Sequence, residues 1–439
     1  MQTIKQLQAD LQAGRTTSEK LVEQCLAAIE SYRKAGGAAY LHVDADAALQ
    51  AARASDAARR AGNVPSPIAG LPVSIKDLFD VRGQVTSAGS RALASSAPAA
   101  DDAVAVARLR TAGAVLLGRT NMSEFAFSGL GLNPHYGTPR APHDESRVAG
   151  GSTSGGAVSV AKGMAVATLG TDTGGSIRIP AAFCGLTGFK PTSRRVSLQG
   201  GVPLSRTLDS AGPLANSVDC CAILDRILSG ETLDTRPASL KGLRLYVTRD
   251  FVFDGVDAAV AAAFESAVSR LSAHGAQIVP FEFPELHQLP TINGGGGFTA
   301  AEAWHWHRQL LADKGQEYDQ RVAMRIRRGE KQSAADYITV FDERARLMAV
   351  AADRLRDADA WLMPTVAVPP PRVDDLGTDE AFFATNALVL RNTSVINFLD
   401  GCGVSLPTGQ PGIGLAVCGL RDADARILQV AGAIEPALN

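Results

Sequence analysis

Apolar positions along the chain follow two rhythms, a helical one of three and four and short unbroken runs of strand length. In 16-TTSEKLVEQCLAAIESYRKAGG-37, Leu21, Val22, Cys25, Leu26 and Ile29 recur on one helical face. Thr16 with Glu19 fits a capping box at its start, and Gly36 and Gly37 supply its stop. A second amphipathic helix is expected over 45–62. The run 71-LPVSIKDLFDV-81 then reads as a buried strand ending near Lys76 and Asp77. A helix over 101–113 leads to a strand over 114–121, and a helix beginning within 154–163 leads to a short buried strand over 165–170. The same alternation returns as a strand over 240–248, a helix over 256–275 and a strand over 276–283. A charge-rich, mostly helical stretch runs from 294 to about 357, followed by a strand and Pro-rich exit over 358–373. The pair 403-GVSLPTG-409 and 412-GIGLAVCG-419 reads as two strands closing the sheet, with a last helix around 422–435. Strands alternating with helices predict an α/β layered sheet.

Between 129 and 151 this pattern lapses into a Gly, Pro, His and Asn-rich segment with few apolar anchors. Loops of that length are usually functional or disordered. Composition adds little beyond a soluble enzyme: 46% hydrophobic, 20% charged and a net charge of −2 over 439 residues. That balance gives no reason to expect a nucleic acid or an anionic membrane as partner. The first residues lack the apolar stretch of a signal peptide, and no apolar run reaches the about 18 residues of a membrane span. Six cysteines without C-x-x-C spacing read as buried reduced thiols, which fits a cytoplasmic location. With no repeat and no clear linker, one domain over 1–439 is expected, with a core at about 65–220 and a helical excursion at about 298–357.

The chemistry concentrates in two glycine-flanked serine clusters, 150-GGSTSGG-156 and 170-GTDTGGSIRIP-180. A phosphate loop requires Gly-Lys-Ser/Thr, which the chain lacks, and Gly295-x-Gly297-x-x-Ala300 has no strand before it. The G-x-S-x-G elbow of many serine hydrolases is absent too. No histidine offers itself as a base: the seven lie mostly in loops or at helix ends, and His305 and His307 diverge on a helix. His135, in the long loop leading to the serines, is the one histidine with a chance of touching substrate. A lysine can serve instead when burial favours its neutral form. Lys76 ends a hydrophobic strand, although its neighbour Asp77 offers a plain ion pair as a competing account. In 173-TGGS-176, paired glycines before Ser176 let the backbone aim several N–H groups into one small volume, as an oxyanion hole requires. A tight strand-to-helix turn would use the same residues.

Together these stretches resemble the amidase signature hydrolases. The resemblance covers 70-GLPVSIKD-77, 150-GGSTSGG-156 and 170-GTDTGGSIRIPAAFCGLTGFKPT-192. It continues through 208-LDSAGPLANSVDC-220, 363-MPTVAVPPP-371 and 391-RNTSVINFLDGCGVSLP-407. It implies an α/β fold, a large mixed sheet with helices on both faces, and a Ser–cis-Ser–Lys triad made of Ser176, Ser152 and Lys76. Ser176 would attack an amide carbonyl, and Ser152 would bridge it to the neutral amine of Lys76. The N–H groups of Thr173, Gly174, Gly175 and Ser176 would form the oxyanion hole, with Asp172 and Arg178 holding that loop. Where many relatives read G-G-S-S-G-G, this chain has Thr153 after Ser152. Ungapped alignment keeps Ser152 as the bridge and makes Ser154 a supporting hydroxyl; a slipped alignment would nominate Ser154. Met122, Phe125 and Phe127 are candidate pocket residues, and the segment 298–307 a candidate cover. The implied activity is hydrolysis of a small-molecule carboxylic amide with no metal or organic cofactor, and a homodimer is a family expectation. Two alternatives stay within the family: a carbamate, biuret or allophanate-type hydrolase, and the glutaminase component of a glutamyl-tRNA amidotransferase. A non-catalytic binding relative is the alternative of another class.

Overall fold

A computed structural model describes residues 2–438. Its first strands are β1 (Tyr40–Val43), β2 (Pro72–Lys76) and β3 (Val115–Thr120). The long loop folds back on itself as a small hairpin of β4 (Arg140–Ala141) and β5 (Asp144–Val148). Next come β6 (Ala167–Asp172), β7 (Thr187–Lys190) and β8 (Ser210–Ala215). The set ends with β9 (Arg244–Val247), β10 (Gln277–Pro280), β11 (Ala360–Pro364), β12 (Cys402–Pro407) and β13 (Gly414–Gly419). All but the hairpin join one eleven-stranded sheet in the order β1-β3-β2-β6-β8-β7-β12-β13-β11-β9-β10.

The sheet is mixed in an orderly way. β3, β2 and β6 run parallel on one side, and β11, β9 and β10 run parallel on the other. Between these groups β6, β8, β7, β12, β13 and β11 pair antiparallel. Parallel neighbours need crossover connections, and the helices Val104–Thr111, Ser154–Ala161 and Ala258–Ala273 supply them. The helices Val104–Thr111, Val218–Ser229, Ala258–Ala273 and Asp424–Leu438 form a layer on one face of the sheet. Ser154–Ala161, Arg178–Cys184 and Asp379–Phe398 pack on the other. Central strands covered on both faces lose their alternation: every residue of β2, β6, β7 and β8 is buried.

Several sequence expectations need adjustment. The first long helix is capped by Thr17, whose hydroxyl accepts from the Lys20 N–H, rather than by Thr16. Glu19 does not close a capping box; Asp56 accepts from the Ser18 and Glu19 N–H groups, and Glu19 pairs with Arg53. The β12–β13 pair forms as expected but lies inside the sheet, because β7 and β11 flank it, so it closes no edge. The helices Ile4–Gln12, Val218–Ser229 and Asp379–Phe398 and the strands β1, β7 and β8 were not legible from apolar spacing. All six cysteines are buried and unpaired. Among the described residues no helix is long and apolar enough to cross a membrane.

Candidate active site

The parallel pair β2–β6 sets the first contact. Ile75 lies opposite Leu169, so Lys76 at the end of β2 emerges beside Gly170 and Thr171. Its side chain is fully buried, and Nζ lies 2.7 Å from both Ser152 Oγ and Thr171 Oγ1. Burial drives the Lys76 amine down to about 7, against the opposite pull of the Asp209 and Asp172 charges. Asp77 is no partner of Lys76. Successive strand side chains point to opposite faces, and Asp77 pairs with Arg119 at 2.9 Å while also accepting from Ser87 Oγ and the Gly89 N–H.

Ser152 follows a cis peptide bond from Gly151. A side chain at Gly151 would collide with the backbone of Gly131, 2.5 Å from an added Cβ, so the residue must be glycine. The Gly151 N–H donates to the Gly129 carbonyl at 2.7 Å and the Ser123 N–H to the Ser152 carbonyl at 3.2 Å, which ties this turn to the long loop. Ser154 opens the helix Ser154–Ala161, and its buried hydroxyl has no hydrogen-bond partner among the described residues. The geometry therefore brings Ser152, not Ser154, to Lys76. The Thr153 N–H donates to the Ser176 carbonyl at 3.3 Å, which draws the two serine clusters together.

Ser176 ends the turn that leaves β6. Gly175 sits at φ 136°, a region that side chains avoid, and an added Cβ there would meet Thr393 Oγ1 at 2.2 Å. Among the described residues, the N–H groups of Thr173, Gly174, Gly175 and Ser176 find no acceptor in the chain. Buried backbone donors are nearly always paired, so four left free in one turn form an unusual concentration of donors. Asp172 holds the turn from below: it accepts from the Ile177 and Arg178 N–H groups and from the Arg178 guanidinium at 2.9 and 3.1 Å. Burial works against ionising Asp172, but Arg178, Lys190 and Asn397 together outweigh it and hold the carboxyl down at about 2. Asn397 donates to Asp172, and Thr393 Oγ1 donates to the Gly174 carbonyl at 2.6 Å, so the helix Asp379–Phe398 braces the turn from above. On the remaining side, Thr173 Oγ1 donates to Asp209 at 2.5 Å. Burial lifts the Asp209 carboxyl to about 6.

A cavity of about 550 Å³ opens onto Thr173, Gly174 and Ser176. Phe127 lines it, and so do Thr299 and Ala300 of the segment expected to cover the site. Met122 and Phe125, also expected at the pocket, do not line it. Both are buried in the main core, where Phe125 stacks on Tyr318 with ring centroids 5.0 Å apart. His135 likewise turns away and bonds Glu124 at 2.9 Å. Spacing reasoning missed Thr171, Asp209, Thr393 and Asn397. All lie within or beside quoted motifs, but their roles depend on contacts distant in sequence.

The amidase family profile matches residues 20–428. The 2-amino-5-chloromuconic acid deaminase of Comamonas testosteroni is 38% identical over 408 residues, covering 90% of this chain and 88% of its own. The glutamyl-tRNA(Gln) amidotransferase A component of Chloroflexus aggregans is 36% identical over 375 residues, 78% of this chain and 76% of its own. A crystal structure of an amidase superposes with a TM-score of 0.91 at 34% identity and covers 100% of both chains. A match that spans the sheet, both serine clusters and Lys76 leaves one assignment: the chain belongs to the amidase signature family.

Proposed function

We propose that this chain hydrolyses a carboxylic amide to the acid and ammonia or an amine through an acyl-enzyme on Ser176. The observation that carries this reading is the 2.7 Å contact between Ser152 and a fully buried Lys76 whose amine is lowered by burial to about 7. At neutral pH much of that amine is uncharged. Its N–H can donate to Thr171 while its lone pair accepts from the Ser152 hydroxyl, which leaves Ser152 Oγ free to accept from Ser176. Ser176 Oγ then attacks the carbonyl carbon as its proton passes through Ser152 to Lys76. The negative oxygen of the tetrahedral intermediate faces the four free N–H groups from Thr173 to Ser176. Collapse breaks the C–N bond, and the proton returns through Ser152 to the departing nitrogen. Water, activated by the same relay, then releases the acid.

In this scheme Asp172, Arg178 and Asp209 are positioning residues, since each fixes the turn without facing the cavity. The chain acts as one domain, with the helices Gly297–Lys314 and Gln320–Arg327 forming part of the substrate cavity's wall. A partner-dependent glutaminase, as the amidotransferase relative's name suggests, is the second reading. Turnover of simple amides by the purified chain alone separates the two. The direct test is labelling with a fluorophosphonate followed by peptide mapping. Modification at Ser176, lost in Ser176→Ala and strongly slowed in Lys76→Ala, is expected. An unlabelled chain, or label on another serine, overturns the nucleophile assignment.

A further inference from the structure

The cavity in front of Ser176 carries a charge pattern that bond cleavage alone does not use. Its walls are mostly apolar, with Leu204, Leu208, Phe251, Leu390, Val395 and Phe398 among them. Arg325, Arg328 and Arg391 reach the same cavity, while no Asp or Glu among the described residues lines it. All of their hydrogen bonds go to neutral oxygens. Arg325 donates to the Phe127 carbonyl and Arg328 to the Gly294 carbonyl. Arg391 donates to the carbonyls of Val252 and Asp254 and to the Asn392 side chain. Arg391 is thus fully braced, whereas Arg325 commits one guanidinium nitrogen and, among the described residues, has no protein acceptor for the others.

Holding Arg325 there has a cost. Burial, reinforced by the charge of Arg328, lowers its guanidinium to about 10, still charged at neutral pH. The Phe127 ring, 4.4 Å from the guanidinium carbon, compensates in part. A half-buried cation with open donors and no counter-ion is poorly satisfied until an anion arrives, and a planar guanidinium fits a carboxylate best. Resting on the hydrolytic reading above, we propose that the substrate is an amide that also carries a carboxylate, the monoamide of a dicarboxylic acid. Its amide carbonyl lies at Ser176, its hydrocarbon along the apolar wall, and its remote carboxylate on Arg325, with Arg328 and Arg391 adding positive charge. The product is then a dicarboxylic acid, so a reaction that consumes dicarboxylates follows it.

The test uses the purified full chain and compounds matched in length: adipamate, adipamide and hexanamide for turnover, adipate and adipamide for binding. The expected kcat/KM for adipamate exceeds that for adipamide on the order of tenfold or more, the effect of one charge-assisted pair in a partly open site. Arg325→Met should bring that ratio towards one, chiefly through KM, and Arg325→Lys should retain part of it. Because the readout is a ratio within one protein, loss of folded material does not mimic it. Adipate should raise Tm in Ser176→Ala, which cannot convert the diamide to the acid, and not in the Ser176→Ala, Arg325→Met double variant, and adipamide should not raise it in either. Turnover of neutral amides with no preference for the acid overturns this inference and leaves the hydrolase reading intact. Adipate binding through Arg325 in a chain that cleaves no amide and resists the fluorophosphonate overturns the hydrolase reading and leaves only a carboxylate subsite on Arg325.

Discussion

In the proposed relay Lys76 concentrates the chemistry, because one side chain must be both buried and titratable. Its amine falls from 10.5 to about 7, mainly through burial. Only the neutral amine accepts a proton, so kcat/KM should rise with pH and level off above about 7; a pH–rate profile checks this. The same shift has a stability signature. Between about 7 and 10.5 the unfolded chain binds a proton that the folded chain does not, so stability rises with pH through that window. Lys76→Met removes the effect, and its Tm should exceed the parent's most at or below neutral pH, with the gap narrowing towards pH 10. Thermal melts at several pH values would expose the opposite trend. The two serines of the first cluster should behave differently. Ser152→Ala should lower kcat by about three orders of magnitude or more, as loss of a member of a concerted relay does. Ser154→Ala should stay near the parent, since its hydroxyl makes no hydrogen bond among the described residues. A steady-state loss in Ser154→Ala that Ser152→Ala does not show would make Ser154 the bridge instead.

At the scale of elements, the turn from Thr173 to Ser176 depends on parts of the chain far away in sequence. Asp172 anchors it to Arg178 and to Asn397 on the helix Asp379–Phe398, while Thr393 on that helix holds the Gly174 carbonyl. Free N–H groups stabilise an oxyanion only when they are already aimed. Thr393→Val keeps the shape and removes the hydroxyl that holds Gly174. It is expected to lower kcat about tenfold with little change in KM, because the loss falls on the transition state. A change confined to KM would show that the helix serves ground-state binding instead.

For the molecule as a whole, one of the ties between the helical stretch beyond Gly297 and the sheet region is a buried carboxylate. Glu124 accepts from Ser90 Oγ at 2.6 Å and from the Asp319 N–H at 2.7 Å, and it lies 2.9 Å from His135. Beside it, Phe125 packs on Tyr318 and His307. Glu124→Ala strands several buried polar groups together and should cost about 2–4 kcal/mol. Hydrogen exchange should quicken most around 318–327, which forms part of the cavity wall through Arg325. Uniform loss of protection across the sheet would instead point to a general core defect.

The sequence by itself determined which residues are candidates for the chemistry. A strand ending in Lys76, glycines before Ser152 and Ser176, and apolar runs of strand or helix length are local properties, fixed by backbone conformation and spacing. The helices at 45–62, 101–113 and 256–275 were legible for the same reason, give or take a few residues at their ends. Fully buried strands such as β7 and β8 were not, because burial on both faces erases alternation and their glycines weaken the propensity signal. Only the tertiary structure separated Ser152 from Ser154 and Lys76 from Asp77, through the register of β2 on β6 and the opposite facing of neighbouring residues. It also moved Phe125 and Met122 out of the cavity and gathered three arginines into it. Spacing records which residues share an element, but a cavity is made by elements that meet across the fold, and their meeting is set by packing.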